Sequence, residues 1–171
     1  MHKEILSPEQ FDLFKQKGFR SKKIIDKLVA GNIDYKVTRN VKDQLNLIIN
    51  GVKFTFFEYP FPIKPSQKFE EYIKMPNLLD LSAMKAYALG RRSKWKDYVD
   101  LYFIIKNYST VEQIGARAEE IYQQMFSQKL FRAQLAYHKD IDYSEEVEYL
   151  AEPIPEKLIR DYLIDVATDI L

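Results

Sequence analysis

The sequence predicts an α/β (α+β) fold in which a small mixed sheet is followed by a helical domain. Three observations support this prediction: apolar residues alternate with polar ones between positions 35 and 58, prolines interrupt the chain between positions 59 and 76, and helical periodicity dominates after them. Because 46% of the 171 residues are hydrophobic, the chain can bury a substantial core. We expect a sheet domain at residues 1–64 and a helical domain at residues 65–171.

The region before the prolines is expected to contain one helix and three strands. Apolar residues recur at helical spacing between Ser21, a candidate cap, and Gly31, a candidate stop. Asn50-Gly51 lies between alternating apolar runs and is a strong hairpin signal, because both residues tolerate positive φ. Strands of an antiparallel meander are therefore predicted near residues 33–39, 43–50 and 52–58.

The region after the prolines is expected to be helical. Asp80 or Ser82 opens a first helix that runs to Gly90, and Thr110 caps a third helix that extends toward Phe126. The other predicted helices cover residues 93–107, 127–138 and 155–170.

Composition excludes several classes of site. With 26 basic and 25 acidic residues the net charge is +1, so the chain is not a nucleic-acid coat protein and any anion site has to be local. Since cysteine is absent, disulfides, thiolate zinc sites and cysteine nucleophiles are excluded. No apolar run approaches the roughly 20 residues that span a bilayer, and we expect a soluble, cytoplasmic protein.

The segment from Lys85 to Tyr102 concentrates charge more than any other. Its first part holds cations and no acid, and its second part holds Asp97 and Asp100. The cations are Lys85, Arg91, Arg92, Lys94 and Lys96. This pattern suits a polyanion such as a nucleoside triphosphate or an RNA backbone, with carboxylates that orient a cation toward phosphate. The alternative is a solvated helix face in which Lys96 and Asp100 form an i, i+4 pair worth about 0.3–0.5 kcal/mol.

The string NLLDLSAMKAYALGRRSKWKDYVDLYFIIKNYS resembles the AbiEii family of abortive-infection toxins, which belong to type IV toxin–antitoxin systems and have a nucleotidyltransferase fold. The strings NGVKFTFFEYPFPI and QLAYHKDIDYSEEVEYL resemble other parts of the same family. The resemblance therefore extends over nearly the whole chain from Phe11 onward.

The resemblance implies an activity as well as a fold. Members of the family transfer a nucleotide from an NTP to an acceptor, in some members the end of a tRNA, with magnesium ions neutralising the phosphates. An antitoxin protein is a further expected partner. By position, the resemblance assigns active-site roles to Lys85, Asp97 and Asp100, and a phosphate contact to Arg91 or Arg92. We expect Arg91, Arg92 and Lys96 to contact the nucleotide.

The sequence departs from the family pattern at the expected metal site. The glycine turn of the family is missing, as if a segment between Gln10 and Phe11 had been removed, and Gln10 stands at the position of the first metal carboxylate. Asp12 matches the second carboxylate, and the third falls at Thr55. Because magnesium prefers oxygen anions in octahedral arrangement, we expect impaired transfer. The alternative hypothesis is a non-catalytic binding or partner module, for which an unpaired strand edge favours a homodimer.

Two weaker features remain. His2 and His138 are too far apart in sequence to suggest a metal site or a triad, so surface or capping roles are expected for both. The acidic residues of HKDIDYSEEVE, at positions 138–148, could attract a cation, but acidic runs are usually solvated turn and helix-start residues, and we expect that role here.

Overall fold

The computed structural model describes residues 10–149 and 152–169. The chain divides into two units, the first ending at Pro62 and the second beginning at Ile63. His2 lies outside the described residues, so its expected role remains a prediction.

The described part of the first unit contains a four-stranded mixed sheet. Its elements are β1 (Gln10–Lys15), α1 (Ser21–Ala30), β2 (Lys36–Val41), β3 (Gln44–Ile49) and β4 (Val52–Glu58). The strand order is β1-β4-β3-β2, with β1 parallel to β4 and the other neighbours antiparallel. The predicted meander of β2, β3 and β4 is confirmed, whereas β1 is an additional strand that we did not predict.

Local sequence explains where these elements begin and end. Asn50 and Gly51 have φ of 51° and 81°, the backbone that a two-residue hairpin turn requires. Gly31 ends α1 as predicted. The prediction that Ser21 caps α1 is wrong, because Ser21 is already helical and Arg20 stands at the N-cap without a side-chain capping bond.

One face of the sheet carries the core of the first unit. Leu47 on β3 is fully buried and lies opposite Phe54 on β4. Phe54 in turn lies opposite Phe11 on β1, and the two rings stack with centroids 5.2 Å apart. Because side chains alternate along a strand, the neighbouring pair Asp12 and Thr55 lies on the other face.

The proline-rich segment contains a short two-stranded sheet. β5 (Gln67–Phe69) pairs antiparallel with β6 (Ile73–Met75). The prediction that prolines interrupt all regular structure between residues 59 and 76 is therefore wrong. No proline occurs between Pro65 and Pro76, so the intervening backbone keeps its hydrogen-bond donors.

The second unit is helical beyond β6, as predicted. Its helices are α2 (Leu78–Leu89), α3 (Trp95–Asn107), α4 (Val111–Tyr122), α5 (Gln128–Ala136) and α6 (Glu156–Thr168), with a 3-10 helix at Gln123–Met125. They share an apolar core whose fully buried members include Tyr98, Leu101, Ile114, Leu135, Ile159 and Leu163. Burying each such side chain contributes about 1.5–3 kcal/mol. Within the described ranges, no helix has the length and apolar character needed to cross a bilayer.

Capping by Asn77 sets the beginning of α2. The Asn77 side chain accepts a hydrogen bond from the backbone N–H of Asp80 at 2.7 Å, so the helix begins at Leu78. The prediction that Asp80 or Ser82 opens this helix is therefore wrong.

Both ends of α4 are explained by its flanking residues. Thr110 caps the helix as predicted, in a capping box with Gln113. The helix ends at Tyr122 and does not reach Phe126, because Gln123 adopts a φ of 51° and a 3-10 turn follows.

Candidate functional site

Helices α2 and α3 bring the predicted catalytic residues together. Asp97, in the first turn of α3, is fully buried and accepts a hydrogen bond from Lys85 Nζ at 3.2 Å. Lys85, on α2, also forms an ion pair with Asp100, one turn further along α3. The side chain of Lys85 is 22% exposed and that of Asp100 is 46% exposed. Lys85 thus bridges a carboxylate in the protein interior and one at the surface.

Arg92 is the second cation on the buried carboxylate. Its Nε lies 3.0 Å from Asp97 Oδ2, and its Nη2 lies 3.4 Å from Asp97 Oδ1. Both oxygens of Asp97 therefore accept charge-assisted hydrogen bonds. A buried carboxylate requires such partners, because an unpaired buried charge is strongly unfavourable. Asp97 thereby holds Lys85 and Arg92 next to each other, and we call Lys85, Arg92, Asp97 and Asp100 the Lys85 cluster.

The carboxylates determine the ionisation of Lys85. Burial alone would lower the pKa of Lys85, but the charges and hydrogen bonds of Asp100 and Asp97 outweigh it and raise that pKa above its ordinary value. Lys85 is therefore an ammonium group at neutral pH and does not serve as a general base. It can instead bind an anion that takes the place of the exposed Asp100.

Arg91 makes a different set of contacts. Its guanidinium stacks on the ring of Tyr87, 4.3 Å from the ring centroid, and donates to the Tyr87 hydroxyl. The Tyr87 ring in turn stacks on Tyr122, with centroids 3.9 Å apart. No ion pair among the described residues joins Arg91 to Asp97 or Asp100. The stacking therefore holds Arg91 beside α2, outside the Lys85 cluster.

Lys94 and Lys96 are paired with the acidic run that follows α5. Both ammonium groups form ion pairs with Glu145, and Lys94 Nζ lies 3.7 Å from Asp142 Oδ2. The Lys96–Asp100 pair of the alternative interpretation is wrong, because Lys96 binds Glu145 and Asp100 binds the lysine of α2. The expectation that the acidic run is merely solvated is also wrong for Asp142 and Glu145.

Backbone bonds attach the acidic run to the start of α3. The Trp95 N–H donates to the Asp142 carbonyl at 3.0 Å, and the Asp142 N–H donates to the Ser93 carbonyl at 2.7 Å. α3 consequently begins at Trp95, two positions later than predicted. Burial would raise the pKa of Glu145, but hydrogen bonds from the two lysines lower it to about 2. The opposite charges of KWK and DIDYSEE are the sequence signal from which this contact could have been predicted.

His138 packs at the end of α5. Its ring contacts Tyr98 edge-on, with centroids 5.3 Å apart. Burial and the nearby Arg160 lower the pKa of His138, so the imidazole is neutral at physiological pH.

Asp12, the predicted metal ligand, is an exposed residue of β1 in the first unit. Gln10 Nε2 donates a hydrogen bond to Asp12 Oδ1 at 2.7 Å. Thr55 is the neighbour of Asp12 across the β1–β4 pair and is buried. The strand register thus brings together the three positions that the resemblance assigns to metal carboxylates, of which Gln10 and Thr55 carry neutral side chains.

The residues around Asp12 do not fit a magnesium ion. Magnesium takes about six oxygen ligands in near-ideal octahedral geometry, with carboxylates as its protein ligands. One of the two Asp12 oxygens already accepts from Gln10. Among residues 10–149 and 152–169, no group of three or more acidic, histidine or cysteine side chains is arranged to hold a metal ion. The donor set that the first unit presents in its described residues is therefore unsuited to magnesium.

Comparison with known proteins identifies the fold. No family model matches the sequence. The uncharacterized protein aq_aa25 of Aquifex aeolicus is 27% identical over 164 residues, which cover 90% of this chain and 77% of that protein. The structure of MenT4, the nucleotidyltransferase toxin Rv2826c of Mycobacterium tuberculosis H37Rv, is similar with a TM-score of 0.53 and 11% identity, over 94% of this chain and 68% of that chain. The chain has a nucleotidyltransferase fold.

This result confirms the α/β (α+β) class, with a mixed sheet followed by helices. JHP933 from Helicobacter pylori is a further similar structure, with a TM-score of 0.43 and 14% identity over 66% of this chain. The present chain spans 56% of the length of JHP933. At 11% identity the likeness to MenT4 establishes the fold alone.

Proposed function

We propose that this protein belongs to the AbiEii toxin class and descends from an enzyme that transfers a nucleotide from an NTP to an RNA acceptor, with transfer impaired in this chain. The nucleotidyltransferase fold supports this ancestry, and MenT4 is a toxin with a similar fold. The observation that carries the proposal is the buried Asp97, whose two oxygens hold Lys85 and Arg92 side by side.

In the Lys85 cluster, a bound phosphate replaces one of the two carboxylates as the partner of Lys85. Asp97 is fully buried and stays in place, whereas Asp100 is half exposed and its ion pair is of the kind that water and salt weaken. A phosphate oxygen of the nucleotide replaces Asp100 on Lys85. Arg92, whose side chain is 48% exposed, supplies its remaining N–H donors to the same phosphate chain.

Arg91 and Lys96 are proposed as peripheral nucleotide contacts. Arg91 has to rotate off Tyr87 to reach a nucleotide, and Lys96 has to leave Glu145. Both movements weaken their contribution relative to Lys85 and Arg92.

Impaired transfer follows from the donor set around Asp12. Gln10 and Thr55 offer neutral oxygens where the resemblance calls for carboxylates, and the Gln10 amide occupies one Asp12 oxygen. Phosphate binding by the Lys85 cluster needs no metal, because it rests on positively charged side chains alone.

Incorporation of labelled NTPs into tRNA, measured with excess magnesium, tests the proposal. We expect incorporation by the native chain to be no greater than that by the Lys85→Ala variant. Lys106→Ala is the matched control, because Lys106 is another lysine of these helices and binds the Tyr102 hydroxyl at 2.8 Å. Incorporation by the native chain and by Lys106→Ala well above that of Lys85→Ala would refute the impairment and establish an active transferase.

The second candidate is a non-catalytic partner module, which the Gln10–Asp12 hydrogen bond also favours. Such a module associates with an antitoxin-like protein or with itself and binds nucleotide weakly or not at all. Analytical ultracentrifugation at increasing concentration tests self-association through a strand edge. A dimer whose stability is unaffected by ATP would favour this candidate, whereas ATP binding that is lost in Lys85→Ala would exclude it.

A further inference from the structure

A cavity in the first unit lies between the sheet and α1, on the face opposite Asp12. Its volume is about 320 Å³. This value is near the lower end of the range of roughly 300–1,000 Å³ that is typical of small-molecule pockets. Leu13 and Phe56, which face each other across the β1–β4 pair, belong to the same sheet face as Leu47, whereas Asp12 alternates to the other. Leu13 and Phe56 therefore place the cavity on the sheet face away from Asp12, and Phe14, of the other alternation, also lines it.

The apolar part of the cavity lining is incompletely covered by the described residues of the first unit. Leu13, Phe19, Ile24 and Phe56 all line it, and each of them keeps part of its surface accessible. α1 contributes no fully buried residue, although its apolar side chains recur on one face. The open apolar surface favours an apolar or aromatic group of matching size, because such a group loses water contact on binding.

The other part of the lining carries Lys15, Arg20 and Lys23. All three side chains are exposed, and none of them forms an ion pair with a described residue. Glu58 is the partner of Lys15 across the β1–β4 pair, but its carboxylate lies against the backbone of Gly18, where an added Cβ would stand 3.3 Å from Glu58 Oε2. The cations of the cavity thus differ from those of the Lys85 cluster, whose charges carboxylates already match.

We propose that this cavity binds a small organic phosphate monoester. The apolar body of the ligand lies on Phe19, Ile24 and the sheet, and its phosphate lies against Lys15, Arg20 and Lys23. A phosphate dianion accepts bidentate hydrogen bonds from a guanidinium and point-charge contacts from two ammonium groups, which is the donor set that these residues provide. The size of the cavity limits the bound ligand to a free small molecule or to one terminal group of a larger molecule.

Titration of the isotope-labelled full chain, followed by amide chemical shifts, tests this proposal. The probes are AMP, hexyl phosphate and inorganic phosphate, each added to the Lys85→Ala variant so that binding at the Lys85 cluster does not contribute. We expect saturable shifts at amides between Gly18 and Ile24, with at least tenfold tighter binding of one organic phosphate than of inorganic phosphate. Preference for AMP identifies an aromatic body, and preference for hexyl phosphate identifies an aliphatic one.

Charge reversal at the N-cap and within α1 provides the matched control. Arg20→Glu with Lys23→Glu is expected to weaken binding at least tenfold. Lys22→Glu with Lys27→Glu makes the same charge change on exposed residues outside the cavity lining and is expected to change affinity less than twofold. Equal losses in both double variants, equal binding of inorganic and organic phosphate, or the absence of saturable shifts would each overturn the proposal. The comparison of probes needs no charge-reversal variant, so it decides the matter even where a double variant fails to fold.

Discussion

Replacing Asp97 with Asn is expected to destabilise the second unit much more than replacing Asp100 with Asn. Asp97 is fully buried and accepts from two cations, and each hydrogen bond to a charged group contributes about 1.5–3 kcal/mol. The loss of stability is smaller than the sum of these hydrogen bonds, because Lys85 keeps its ion pair with Asp100 and the 48% exposed Arg92 can bind water instead. We expect a loss of about 2–4 kcal/mol for Asp97→Asn and of about 0–1 kcal/mol for Asp100→Asn.

Urea unfolding followed by tryptophan fluorescence measures both losses. Trp95 is the only tryptophan in the sequence, lies at the start of α3 and is 8% exposed, so its emission reports on the environment of the Lys85 cluster. With a slope of about 2 kcal/mol per molar urea, the expected loss moves the midpoint down by about 1–2 M. Equal midpoints for the two variants, or a loss below about 1 kcal/mol for Asp97→Asn, would refute the role assigned to Asp97.

Three other perturbations have defined outcomes. The pKa of Glu145 is lowered from 4.5 to about 2 in the folded protein, so its ion pairs stabilise the fold fully above about pH 4.5. In urea unfolding, the difference in stability between the native chain and Glu145→Gln is therefore expected to shrink as the pH falls toward 2. Gln10→Asp places a second carboxylate beside Asp12 and is expected to produce selective broadening of β1 amide signals by Mn²⁺. Leu163 is fully buried, so Leu163→Ala is expected to lower the free energy of unfolding by about 2–5 kcal/mol. Leu158 is 56% exposed, so Leu158→Ala is expected to lower it by less than about 0.5 kcal/mol.

Each of these expectations can fail independently. A stability difference between the native chain and Glu145→Gln that stays constant from pH 7 to pH 2 would contradict the ion pairs with Lys94 and Lys96. Broadening by Mn²⁺ that is as strong in the native chain as in Gln10→Asp would show that Asp12 already binds a cation. Similar losses in the two leucine variants would contradict the packing described for α6.

Local signals in the sequence predicted most of the fold. The Asn50-Gly51 turn and the alternation around it determine the hairpin through the backbone preferences of two adjacent residues. Thr110 was also predictable as a cap, because threonine is one of the residue types whose side chains cap helices. β1 was missed because its pairing with β4 joins residues that are distant in sequence. The start of α2 was missed because Asn77, Asp80 and Ser82 all belong to residue types that cap helices.

The site was predicted less completely than the fold. Helical spacing indicated that Asp97 and Asp100 lie near each other. The excess of cations between residues 85 and 96 already included Lys85, to which the resemblance assigned an active-site role. The choice of partner for each cation depends on how the elements of the second unit pack, and spacing along one helix does not contain that information. Lys96 therefore binds Glu145, from a segment that follows α5, although Asp100 lies one turn away on its own helix.

The most direct test of the central claim is the binding of ATP in the absence of metal. Calorimetric titrations in EDTA compare the native chain with Lys85→Ala, Arg92→Ala and the control Lys106→Ala. Saturable binding is expected for the native chain and the control, with affinity at least tenfold weaker in Lys85→Ala and in Arg92→Ala. Binding that requires magnesium, or an affinity that is the same in all four proteins, would contradict a phosphate site built on Asp97.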